Sequence, residues 1–220
     1  GVPYVAFTTS DYTAKGTVMK YNGSAWENVG PAQFTTMTSF TFRVEAYGDT
    51  PYVYYIDEGN GYRATVMKYN GSSWGLVGSA GFTSGEATNL SLTINDGTPY
   101  LAFAANSNYG RATVMRYNGS TWEVLGLSGF STSEATSINI SVDGGILYVG
   151  FSDYYNSSKA TVMKFGTSTG APGEVCSCQP QCTYSECGDD TCGGSCGTCE
   201  EGMVCDYGEC VPEGGGGGQT

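Results

Sequence analysis

Three groups of residues in this chain have types and spacings suited to chemistry. Nine cysteines crowd the stretch from Cys176 to Cys210, and thiols that close together either pair as disulfides or hold a metal. Carboxylates recur as well: Glu86 and Glu134 stand 48 positions apart in matching contexts, and Asp57 is followed by Glu58. Paired acids hydrolyse glycosidic bonds when one of them is held protonated. The expectation here is the plainer one, that these four are solvated loop acids. Aromatic columns form the third group. Trp26, Trp74 and Trp122, with Tyr21, Tyr69 and Tyr117, could stack on sugar rings as a multivalent glycan binder requires. Packing between repeated units would place them in the same way, and that is the expectation for the tryptophans. Histidine is absent, which removes histidine triads and histidine metal sites.

The cysteines after the first run as C-x3-C-x4-C-x4-C-x3-C-x2-C-x5-C-x4-C, through Cys178, Cys182, Cys187, Cys192, Cys196, Cys199, Cys205 and Cys210. Only Cys196 and Cys199 have the C-x2-C spacing of a zinc half-site, and no second such pair exists. Few aliphatic residues surround them, so cross-links must replace a core. Disulfides among these eight are expected, with pairing left open among 105 connectivities. Nine is odd, and Cys176 is the candidate for a free or interchain thiol. Six Asn-x-Ser/Thr sequons, at Asn22, Asn70, Asn89, Asn118, Asn139 and Asn156, are candidates for N-glycosylation. Three of these simply follow from one recurring turn.

What must position these groups is a repeat. Thr17-Val18-Met19-Lys20-Tyr21-Asn22-Gly23-Ser24 returns at Thr65 to Ser72 and, with Arg116 for lysine, at Thr113 to Ser120. A fourth copy, Thr161 to Phe165, then loses the pattern. The period is 48 residues, and it holds in other columns: Tyr4/Tyr52/Tyr100/Tyr148, Gly30/Gly78/Gly126 and Phe34/Phe82/Phe130. Met19, Met67, Met115 and Met163 form a further column, expected in the core. Within one unit the apolar residues alternate with period two, which predicts strands at Asn89 to Ile94, Pro99 to Phe103, Ala112 to Tyr117 and Trp122 to Leu125. Leu90, Leu92 and Ile94 should face inward, as should Phe42, Val44 and Ala46, and Ile138, Ile140 and Val142, in the neighbouring copies. Asn-Gly between the third and fourth strands predicts a tight hairpin with positive φ at both residues.

Four antiparallel strands at this period are the mark of a β-propeller blade. The expected fold class is therefore all-β, a partial or trans-completed β-propeller of about three and a half four-stranded blades, 14 strands in all, plus a small disulfide-rich module. Composition marks the boundary between the two. All nine Lys and Arg lie at or before Lys164, whereas the last 56 residues carry nine acids and no base. The expected domains are propeller repeats over 1–169, a linker over 170–175, the cysteine module over 176–212 and a Gly-rich tail over 213–220. A net charge of -12 argues against nucleic acid, and no stretch approaches the apolar length of a membrane span. No phosphate-cradling loop context occurs, so no cofactor is expected.

The stretch Ala64 to Trp74, ATVMKYNGSSW, resembles repeats of bacterial secreted β-propeller proteins. Gly71-Ser72-Ser73-Trp74 also resembles the second half of the Asp-box of sialidase-type propellers, although Tyr69 stands where that motif has aspartate. Cys187 to Cys199, CGDDTCGGSCGTC, is similar to small cysteine-rich repeats of secreted bacterial proteins, notably of myxobacterial type. That resemblance implies disulfides and an extracellular or cell-surface location. Together these features lead to the expectation of a non-enzymatic extracellular structural or interaction protein. It would self-associate through incomplete blade edges into a filament or surface matrix, since exposed strand edges template pairing. The alternative is a glycan-binding, lectin-like propeller, and a secreted glycoside hydrolase is a distant third.

Overall fold

The computed structural model describes residues 1–9, 14–36 and 39–165, together with the strands 188–189, 195–197, 203–206 and 209–212. The chain divides into two compact units, Gly1–Thr167 and Ser168–Thr220. The first unit is a run of four antiparallel sheets. Blade 1 has three strands, β1 (Tyr4–Thr8), β2 (Gly16–Tyr21) and β3 (Trp26–Asn28). Blade 2 has four, β4 (Ser39–Tyr47), β5 (Thr50–Asp57), β6 (Arg63–Tyr69) and β7 (Trp74–Leu76). Blade 3 repeats this as β8 (Ala87–Asn95), β9 (Thr98–Ala105), β10 (Arg111–Tyr117) and β11 (Trp122–Val124). Blade 4 holds β12 (Ala135–Asp143), β13 (Ile146–Asp153) and β14 (Lys159–Phe165). This is an all-β, partial β-propeller with the fourteen strands that the repeat predicts.

In the second unit two antiparallel hairpins are described. β15 (Gly188–Asp189) pairs β16 (Ser195–Gly197), and β17 (Met203–Asp206) pairs β18 (Glu209–Pro212), with Cys205 in register opposite Cys210. The cysteine side chains, the linker 170–175 and the tail 213–220 lie outside the described residues. Among the described residues no helix is long and apolar enough to cross a membrane.

Burial follows position in the stack. The second strands of the middle blades, β5 and β9, are buried on both faces after their first residue, because another blade covers each side. Their sequences, PYVYYID and PYLAFAA, are accordingly apolar runs rather than alternating ones. The matching strand of blade 4, β13, alternates buried and less buried residues, since only one of its faces is covered. The first strands behave as expected where two blades meet, with Leu90, Leu92, Ile94, Ile138 and Ile140 buried. Ala46 departs from the expectation and is exposed at the end of β4. Of the methionine column, Met115 is buried, whereas Met163 is 39% exposed on the outer strand of blade 4.

Two turns share the punctuation of the chain. The two-residue loop Asp96-Gly97 has positive φ at both residues, 47° and 76°, the geometry that suits a tight hairpin. The Asn-Gly turns are different, and the expectation for them is corrected. They are four-residue loops in which glycine alone takes positive φ, 100° at Gly23 and 97° at Gly71. Asparagine serves as a side-chain acceptor instead: Asn70 Oδ1 receives the N–H groups of Ser72 and Ser73, both at 2.9 Å. The first strands of blades 2, 3 and 4 also carry a bulge each, with Thr41, Asn89 and Ser137 at φ near 50°. Asn89 Oδ1 accepts the Ser137 N–H at 3.1 Å, and Ser91 Oγ accepts the Ile140 N–H at 3.1 Å, tying β8 to β12.

Blades 1 and 2, and blades 2 and 3, lock through tryptophan. The Trp74 indole N–H donates to the Val29 carbonyl at 2.8 Å, and its ring stacks on Phe34 at 4.6 Å and 4°. One blade on, Trp122 donates to Val77 at 2.7 Å and stacks on Phe82 at 4.4 Å and 5°. Trp26, which no other described blade covers, is 47% exposed, whereas Trp122 is 9% exposed. Trp122→Ala should therefore cost about 3–5 kcal/mol of unfolding free energy. Trp26→Ala should cost roughly 1 kcal/mol or less. Urea denaturation followed by tyrosine fluorescence measures both, and equal losses would contradict the lock.

Candidate functional site

At one end of the stack, three segments of blades 3 and 4 converge: the β9–β10 hairpin, the β11–β12 connection and the β13–β14 hairpin. Tyr109 closes a short 3-10 turn, Asn106–Asn108, in the left-handed conformation (φ 53°), with its N–H on the Asn106 carbonyl at 3.2 Å. That geometry leaves its ring 86% exposed. Arg111 opens β10 and forms an isolated antiparallel bridge with Glu134. Between Tyr109 and Arg111 the chain passes so close to Glu134 that a Cβ on Gly110 would lie 2.9 Å from its Cγ. Backbone bonds from Ala135 to Gly110 (3.0 Å) and from Tyr154 to Glu134 (3.2 Å) stitch the three segments together. Tyr154 and Tyr155 meet edge to face at 5.8 Å and are 65% and 81% exposed.

These rings enclose a cleft of about 390 Å³, lined by Tyr109, Arg111, Ser133, Glu134, Tyr154 and Tyr155. Its floor is polar and fixed. Ser133 donates to Asp153, Thr132 donates to the other Asp153 oxygen at 2.7 Å, and the Tyr155 N–H reaches Ser133 Oγ at 3.0 Å. The Ser133 hydroxyl, with further bonds from Thr132 and the Asn156 and Tyr155 amides, holds the Asp153 carboxyl below the usual range despite its burial. Chemically, the cleft offers aromatic faces, a guanidinium that only donates and a carboxylate that accepts. A concave site of that composition binds a small ligand with an apolar face and several hydroxyls.

The same end of blades 2 and 3 is built differently. Arg63 and Glu86 occupy the columns of Arg111 and Glu134, but Gly61, Asn106 and Ser107 replace the three tyrosines. Asn106 donates to Glu86 at 2.8 Å, and the hydroxyls of Ser84 and Ser107 meet at 3.3 Å. Polar side chains there satisfy one another.

The residues singled out by sequence fall as follows. Trp74 and Trp122 give a ring face to Phe34 and Phe82 and their N–H to a neighbouring blade, so blade packing takes the surfaces that a stacked sugar would need. Trp26 keeps an open flank against Tyr21. Asp57 is buried and accepts from Thr65 Oγ1 (3.0 Å) and Asn60 (2.9 Å), and Glu58 accepts from Tyr62 at 3.3 Å. Glu86 and Glu134 are exposed, and only Glu134 lines the cleft. Of the sequon asparagines, Asn22, Asn70, Asn118, Asn139 and Asn156 are exposed, while Asn89 is half-buried in its bulge. Tyr109, Arg111, Tyr154 and Tyr155 had no place among the candidates. Their signal in the sequence is departure from the repeat, where three tyrosines replace small or polar residues at one interface.

No protein-family model matches the chain, and no curated protein matches it. Solved structures do. The Aleuria aurantia lectin, solved with α-methyl-L-fucoside, is similar at a TM-score of 0.52 and 15% identity, over 79% of this chain and 61% of the lectin. The chain thus spans about three fifths of the lectin's length. The GH43 endo-arabinanase of Bacillus licheniformis is similar at 0.43 and 16%, over 76% and 68% of the two chains. The Trypanosoma rangeli sialidase, in complex with sialic acid, is similar at 0.48 and 9%, over 68% and 26%. The likeness to the lectin defines the class of the fold, a β-propeller.

These likenesses correct two expectations. The comparisons do not back the filament-forming structural protein: the fold is shared with a fucoside-bound lectin. The expectation that the protein is not an enzyme is likewise withdrawn, since several of these structures are hydrolases; at such identities the likeness bears on fold alone.

The cleft floor yields a pH prediction. Because folding lowers the Asp153 pKa, its contribution is complete above the ordinary value of 3.8 and fades as pH falls through the lower folded value. Asp153→Asn should lose about 1–3 kcal/mol at pH 7. The gap between variant and wild type should stay constant down to about pH 5 and close below pH 3.8. Urea midpoints across that range test the sign.

Proposed function

We propose that the protein is a glycan-binding, lectin-like propeller whose sugar site is the cleft between blades 3 and 4. The observation that carries this reading is the convergence of three exposed tyrosine rings on Arg111 and Glu134. Sugar rings present C–H faces that lie against aromatics and hydroxyls that need both donors and acceptors, and this cleft offers all of these. The fold shared with a fucoside-bound lectin supports the same ligand class, and the nine cysteines argue for action outside the reducing cytoplasm.

Arg111 is the anchor of the site. Its strand position is set by the bridge to Glu134, so a hydroxyl pair can accept from the guanidinium while another donates to the carboxylate. Tyr155, fixed through its backbone N–H on Ser133, supplies the flanking ring.

A glycan array of neutral and acidic mono- and oligosaccharides should give saturable binding. Arg111→Ala and Tyr155→Ala should each weaken it at least about tenfold, the loss of one charge-assisted or stacking contact, with an unchanged thermal midpoint. Arg63→Ala, at the matching place between blades 2 and 3, should leave it unaltered. Binding indifferent to both cleft variants would overturn the assignment.

A further inference from the structure

At the opposite end of the stack, where the β4–β5 and β6–β7 turns lie, a larger cleft of about 730 Å³ opens between blades 1 and 2. Blade 1 contributes Tyr4, Lys20 and Glu27, and blade 2 contributes Pro51, Tyr69 and Asn70. Lys20 and Glu27 face one another across β2 and β3 at 3.2 Å, and Asn22 Nδ2 donates to the other carboxylate oxygen at 3.3 Å. The Lys20 ammonium and the Asn22 amide hold the Glu27 carboxyl below the usual carboxylate range.

The equivalent ends of the other two interfaces lack this arrangement. Between blades 2 and 3 the column of Glu27 is Gly75, that of Asn28 is Leu76 and that of Asp49 is Gly97. The Tyr4 column there is Tyr52, only 6% exposed, and Trp122 is buried where Trp74, between blades 1 and 2, stays half-buried. Between blades 3 and 4 the pair Arg116–Glu123 recurs, but Tyr100 is 8% exposed and Phe165, without a hydroxyl, fills the Tyr69 column at 7%. The interface of blades 1 and 2 thus combines an ion pair, two half-buried tyrosines and a cleft.

We infer that this cleft is a second sugar site, which takes a pyranose through two adjacent hydroxyls. An ammonium that only donates beside a carboxylate that only accepts matches a vicinal diol, one hydroxyl accepting from Lys20 and the next donating to Glu27. Tyr4 and Tyr69 flank the ring. The inference rests on the glycan-binding reading and adds valency to it: one chain presents two sites on opposite ends of its blades and can bridge two glycans.

The test is calorimetric titration of the full chain with the methyl glycosides of L-fucose, D-mannose and D-galactose, and agglutination of beads carrying the same sugars. The expected result is two sites per monomer for at least one sugar. Glu27→Gln or Lys20→Met should reduce two sites to one and abolish agglutination, leaving the Arg111-dependent site and the thermal midpoint intact. Arg111→Ala should remove the other site alone. One site per chain, lost in Arg111→Ala and untouched by Glu27→Gln and Lys20→Met, would overturn the second cleft and leave the first standing. No binding of any of the three glycosides would overturn both.

Discussion

The blade stack depends on one contact made twice, an indole N–H reaching back to the carbonyl of the preceding blade. Trp74 on Val29 and Trp122 on Val77 each combine a hydrogen bond with a near-parallel stack on phenylalanine. The bond contributes about 1 kcal/mol and the ring pair about as much again, beyond the area buried. The contact imposes a demand on the chain next to it. Gly30 and Gly78 sit at φ of 75° and 79°, and a Cβ there would lie 3.0 Å from Tyr69 or 2.9 Å from Trp122. Tryptophan, phenylalanine and glycine therefore recur together at one spacing at these two interfaces, whereas between blades 3 and 4 Phe130 meets Phe151 and Phe165 edge to face instead. Once two blades are held in this way, the connection between them is laid along the third strand. Thr83 and Ser131 accept the Ala64 and Ala112 amides, and that path delivers Ser133 and Glu134 to the cleft.

How much of this was legible in the sequence follows from what repeats. The strands, their order and their inward faces could be read because a 48-residue period states the same pattern three times, so a weak local signal becomes a strong one. The Asn-Gly turn misled because the dipeptide signals a tight hairpin only when asparagine also takes positive φ, and here its side chain binds the next turn of backbone instead. The tryptophans stayed ambiguous for a different reason. A ring that repeats once per blade serves packing and multivalent binding equally, and only the Val carbonyls and Phe rings opposite Trp74 and Trp122 decide between them.

The clefts were illegible for the opposite reason. They lie where the repeat breaks: Tyr109 for Gly61, Tyr154 and Tyr155 for Asn106 and Ser107, and Glu27 against Gly75. A period-based reading averages those positions away. Once the scaffold is fixed, the columns that differ between blades mark the interfaces free to acquire a ligand. At the interface without substitutions, Asn106 and Glu86 close on each other instead.

The central claim is that sugar binds where Tyr109, Arg111, Glu134, Tyr154 and Tyr155 meet. A crystal structure of the chain with a glycan that binds it on the array tests this most directly. The account predicts a pyranose ring against Tyr155 with its hydroxyls on Arg111 and Glu134. A glycan seated away from both inter-blade clefts, with this cleft holding only water, would contradict it.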